Sequence, residues 1–138
     1  MSIERPLVLV VEDEPELAQS MEVKLVSMGF DVRCATHFGA ARDQLEAATP
    51  GLVCVALELP TESGIELCEY IRGDLGMDDV PILVTSDAAS ATALADAEDA
   101  GASAFLRKPF SMLELERYVS ALVCEQPASD AYFRRLGP

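Results

Sequence analysis

Five times along the chain, a short unbroken run of apolar residues gives way to a longer stretch whose apolar positions recur every three or four residues. Continuous apolar runs suit strands covered on both faces, and the longer period suits helices with one buried side. The runs predict strands at Leu7–Val11, Phe30–Ala35, Leu52–Ala56, Val80–Thr85 and Ala102–Leu106. The intervening helices carry their own punctuation. Pro15 suits a first turn, with Leu17, Met21, Leu25 and Met28 on one face and Gly29 as the stop. A second helix runs from about Phe38 to Ala48 and ends at Thr49-Pro50-Gly51. Ser63 with Glu66, and Ser111 with Glu114, have capping-box spacing ahead of helices with inward Ile65, Cys68 and Ile71, and Leu115, Val119 and Leu122. The helix over Ser90–Ala100 is nearly all alanine and acid, with Leu94 its one large apolar residue, so it buries little area and is expected to be the least firmly held. Alternation of this kind implies a doubly wound α/β fold: a parallel sheet covered by helices on both sides, with right-handed crossovers.

The 138 residues fit one domain, taken as 1–125, with a loosely ordered tail over 126–138 that holds Tyr132, Phe133, Arg134 and Arg135. No apolar run approaches the ~20 residues that span a bilayer, and the first residues lack a signal-peptide pattern, so a cytoplasmic location without membrane contact is expected. A net charge of −14 repels nucleic acid phosphates and argues against direct DNA binding. Cys34, Cys54, Cys68 and Cys124 are scattered, with no C-x-x-C pair and a single histidine, His37, so zinc is not expected and each thiol is read as a small packed hydrophobe. His37 is given a surface or capping role.

In a doubly wound sheet the ligand crevice lies beyond the carboxyl ends of the strands. Those positions hold Glu12 and Asp13, Ala56 and then Glu58, Thr85, and Lys108. Paired carboxylates suit Mg²⁺, and a hydroxyl beside an ammonium suits a phosphoryl group.

The stretches VLVVEDEPEL, LELPTESGIEL, VPILVTS and GASAFLRKPF closely resemble, in order and spacing, the signature segments of bacterial response-regulator receiver domains, over roughly Pro6 to Cys124. The resemblance implies a flavodoxin-like (βα)5 sheet of order 2-1-3-4-5. It implies that Glu12 and Asp13 hold Mg²⁺, that Thr85 is the hydroxyl that follows the phosphate, and that Lys108 binds it ahead of a cis proline, Pro109. Phe105 matches the switch aromatic, although an aromatic ending a strand is equally often plain core. The phospho-acceptor aspartate, four residues before the loop proline, falls on Ala56. A methyl group neither attacks phosphorus nor binds metal, so Mg²⁺ is expected to be held only weakly. Glu58 starts about 6–7 Å further along the chain, too far out to replace the acceptor. It is read as a pocket acid that pairs with Lys108.

The expected function is a stand-alone, non-enzymatic pseudo-receiver: a module of two-component signalling that works without phosphorylation at the usual place. It would meet a histidine kinase or a downstream target through the face of helix 4, strand 5 and helix 5, with a homodimer also compatible. The alternative is a conventional phospho-accepting response regulator carrying an engineered Asp-to-Ala change at position 56. A flavin or phosphoryl-transfer enzyme on the same fold is disfavoured by the loop EDEPEL, which has no glycines or hydroxyls to cradle a phosphate.

Overall fold

The computed structural model describes residues 5–88 and 90–124, the side chain of Cys124 excepted. The expected tail, with its aromatic-basic cluster, lies outside the described residues. The elements run β1 (Leu7–Val11), α1 (Pro15–Ser27), β2 (Asp31–Ala35), α2 (Phe38–Ala47), β3 (Leu52–Ala56) and α3 (Gly64–Glu69). A π-helical turn over Tyr70–Asp74 continues α3, and β4 (Ile82–Ser86), α4 (Ala91–Asp99), β5 (Ala104–Arg107) and α5 (Met112–Cys124) complete the order. The five strands form one parallel sheet in the order β2-β1-β3-β4-β5. This is the doubly wound, flavodoxin-like arrangement expected.

Alternation along each strand divides the core in two. Leu9, Val11, Val53, Val55, Ile82, Val84 and Phe105 pack under α2, α3 and α4, while Val8, Val10, Cys54, Leu83 and Leu106 pack under α1 and α5. Each fully buried Leu, Val or Phe contributes roughly 1.5–3 kcal/mol of transfer free energy, so both faces are firmly held. The α4 helix is the exception, because it buries Ala97 and leaves Leu94 half-buried. That matches the expectation of a thin contact.

Some expectations are corrected. Edge strand β2 buries only Ala35 of its five residues, unlike the other edge strand, β5, which buries Ala104, Phe105 and Leu106. Cys34 on this strand is accordingly exposed instead of packed, whereas Cys54 and Cys68 are buried as expected. The last strand starts at Ala104 instead of Ala102, since Ala102 instead donates to Ala97 O and closes the end of α4. Ser111 and Glu114 make the reciprocal capping box, at 2.9 and 3.1 Å, but Ser63 caps α3 by accepting from the Ile65 N–H. In α3, Leu67, which the spacing passes over, is as fully buried as Cys68, while Ile65 is half-buried. Among the described residues no helix is long and apolar enough to cross a membrane.

Candidate functional site at the carboxyl ends of the strands

The Glu12 backbone extends the β1–β2 ladder by donating to Ala35 O, which turns its side chain into the body of the protein, where it is 2% exposed. Both carboxylate oxygens are engaged. Oε2 accepts from the Glu14 N–H at 3.1 Å, capping the first turn of α1, whose own N-cap residue makes no side-chain bond. Oε1 pairs with Lys108 Nζ at 3.0 Å. Lys108 is carried there from the end of β5, where its N–H donates to Ser86 O and its bond to Pro109 is cis, as expected.

Ala56 closes β3 as the register partner of Thr85, one step beyond the Val11–Val55 pair. Its methyl is therefore buried between the ends of β1 and β4. The chain then turns so tightly that Gly64 approaches the Ala56 carbonyl: a Cβ at residue 64 would lie 2.3 Å from that oxygen. Gly64 N donates to Leu57 O, and Glu58 pairs with Ser63 in an isolated bridge, so the loop is stitched at its base.

Glu58 does not reach Lys108. Its Oε2 instead accepts from the Ser86 hydroxyl at 2.6 Å, and Ser86 Oγ in turn accepts from the Ala88 N–H at 2.9 Å. The expected Glu58–Lys108 pair is thus replaced by two separate contacts, because Glu12 lies nearer the ammonium. Ser86 was missed by sequence reasoning. The signal was present in the adjacent hydroxyls of Thr85-Ser86, but which of the two reaches the loop depends on where the strand ends. Thr85 is buried beside Ala56 and shares the face of Leu83, whereas Ser86 continues the face of Ile82 and Val84.

Phe105 is 1% exposed and packs in the same cluster as Val84, Ala97, Ala100 and Ala102. Asp13 is exposed at the mouth of the crevice. Beside it an open groove of about 340 Å³ is lined by Glu14, Glu16, Asp87, Lys108, Pro109 and Phe110 among others, so it is more acidic than basic. His37 is exposed at the N-cap position of α2, without a capping side-chain bond, its Nδ1 3.2 Å from Thr36 Oγ1.

A magnesium ion here would draw its oxygen donors from Glu12, Asp13 and the end of β3. Glu12 is taken up by Lys108 and the Glu14 N–H, and Ala56 offers no oxygen from its side chain. Among the described residues no group of three or more His, Cys, Asp or Glu is placed to hold a metal ion. These residues do not fit a site closed by protein carboxylates.

The family model of the response regulator receiver domain matches residues 8–120, and the chain belongs to that family. It is 32% identical over 124 residues to response regulator MprA of Mycobacterium tuberculosis, covering 90% of this chain and 53% of that protein. It is 35% identical over 130 residues to the transcriptional regulatory protein KdpE of the same organism, covering 88% and 56%. The chain thus spans about half the length of the curated relatives it matches. Among solved structures it resembles the non-phosphorylated HemR receiver domain of Leptospira biflexa, with a TM-score of 0.82, 25% identity and coverage of 90% and 98%. A CheY-like receiver domain protein of Methanospirillum hungatei shares the fold, with a TM-score of 0.83, 21% identity and coverage of 94% and 99%. Receiver domains are signalling modules that interact with histidine kinases and downstream effectors of two-component systems.

Proposed function

We propose that this receiver domain signals without phosphorylation at its third strand. The single observation that carries the reading is Ala56, a methyl group buried where β1, β3 and β4 end together. The Lys108–Glu12 pair supports it, because the cation that would face an acceptor carboxylate is already neutralised within the chain. With one anionic ligand gone and Glu12 occupied, magnesium affinity is low. Regulation then comes from binding: the domain recognises a histidine kinase or a downstream protein through the face of α4, β5 and α5, as a monomer or as a homodimer.

The test is incubation with acetyl phosphate and Mg²⁺ followed by intact-mass measurement of the unmodified chain and of Ala56→Asp. The unmodified chain is expected to gain no phosphate and Ala56→Asp to gain one. A phosphate on the unmodified chain would overturn the reading.

A further inference from the structure

We propose that Glu58 and Ser86 form a latch that holds the β4–α4 connection, and with it α4, in one position. The latch lies just past the last β3–β4 pair, Ala56 with Thr85, where Leu57 N still donates to Thr85 O. Glu58 lies beyond the end of β3, and its backbone is held by the bridge to Ser63. Ser86 is the last residue of β4, is 0% exposed, and uses its hydroxyl in both directions: it donates to Glu58 Oε2 and accepts from the Ala88 N–H, the first steps of the chain toward α4. The 2.6 Å separation falls in the range of charge-assisted O–H···O⁻ bonds, which are roughly twice as strong as neutral ones.

Among the described residues, packing holds this segment lightly. Among the described residues of α4 and its end, Ala97 and Ala100 are buried and Leu94 half-buried, so a bond at its leading loop adds to light packing. The latch also bears on the core beneath α4. Val84 and Phe105 are register partners on one face of the sheet, and Ser86 follows Val84 by two residues on that face, within diagonal reach of an aromatic ring. Phe105 and Ala97 belong to the same buried cluster. Holding Ser86 toward Glu58 therefore keeps its side chain turned toward the β3–α3 loop and leaves the space under α4 to the Phe105 ring. That the latch takes the place of phosphate in setting the α4–β5–α5 face rests on the function proposed above; the latch itself does not.

Hydrogen exchange read by mass spectrometry on the whole chain tests it, comparing the unmodified protein with Glu58→Ala, Ser86→Ala, the double variant and Glu58→Gln. Glu58→Ala and Ser86→Ala are each expected to raise exchange over residues 87–100 by about ten- to a hundredfold, as for loss of a hydrogen bond to a charged group, while α1 is unchanged. The double variant is expected to go no further than either single one, and Glu58→Gln, which keeps an acceptor, to fall between. Unchanged exchange over 87–100 in Glu58→Ala, a rise shared equally by α1, or additive effects in the double variant would overturn the latch. None of these outcomes bears on whether residue 56 accepts phosphate, which the mass measurement decides separately.

Discussion

Lys108 and Glu12 are 96 residues apart in the chain and 3.0 Å apart in space. Their side chains are 13% and 2% exposed, so the pair sits at the inner wall of the crevice with little water to share the charge. Such a pair adds little over an apolar replacement, yet removing one member strands the other. Glu12 also caps α1, which ties the crevice to the helix that starts beside it.

Glu12→Gln keeps an acceptor for the Glu14 N–H but leaves the Lys108 ammonium unpaired, and Lys108→Met leaves the carboxylate so. Each is expected to lower stability by about 2–4 kcal/mol, somewhat under a fully buried pair because the lysine keeps some solvent. The double variant should cost clearly less than the sum. Urea unfolding of the three variants checks this, and strict additivity would show that the ion pair carries no coupling.

Gly64→Ala places a methyl against the Ala56 carbonyl, a backbone atom that cannot swing aside. The expected cost is about 1–3 kcal/mol. Gly73, in the π-helical turn, is the control: a Cβ there meets nothing within 4 Å, so Gly73→Ala should stay within about 0.5 kcal/mol of the parent or stabilise it. Equal midpoints for the two variants in chemical denaturation would contradict the close approach.

Arg72 reaches from the π-helical turn to the carbonyls of Met77, Val80 and Gly101, binding the last through both Nε and Nη2. Burial lowers the pKa of its guanidinium from the ordinary value. Its stem also lies where a Cβ of Gly101 would fall, and Gly101 has φ +104°, so glycine is required there on both counts. Arg72→Met orphans several carbonyls at once and is expected to cost about 2–4 kcal/mol, with Arg72→Lys recovering less than half because an ammonium lacks the planar fork. A thermal midpoint in Arg72→Lys equal to that of the parent would rule out this role.

Burial pushes the thiols of Cys54 and Cys68 up to about 12, against an ordinary value of 9.0. Unfolding releases them to ionise normally, so between roughly pH 9 and 12 the folded state binds more protons and stability falls as pH rises; below pH 9 their contribution is fully present. Cys34 is raised as well, by desolvation and then by Glu22, but it stays at the surface. Native alkylation followed by peptide mapping should label Cys34 and spare Cys54 and Cys68. Urea midpoints should decline above pH 9. A flat profile to pH 11 would mean that the thiols are not sequestered.

Much of the fold was legible because it rests on a repeated local signal. Buried runs such as Leu52–Ala56 and Ile82–Thr85 alternate with helix-spaced segments, and the parallel sheet follows from connectivity. What period alone misjudged was exposure: β2 is apolar enough to read as buried, yet it keeps only Ala35 inside, and Cys34 lies at the surface. Likewise Ser63-Glu66 has capping-box spacing, but Ser63 caps α3 by accepting from the Ile65 N–H.

At the site, the order of residues along the chain determined which side chains arrive at the strand ends, and above all that residue 56 brings a methyl group. Their partners were decided only by the tertiary structure. Lys108 meets Glu12 and leaves Glu58 to Ser86, because contacts between residues tens of positions apart depend on sub-ångström placement of loops after the sheet has formed, which no local pattern encodes.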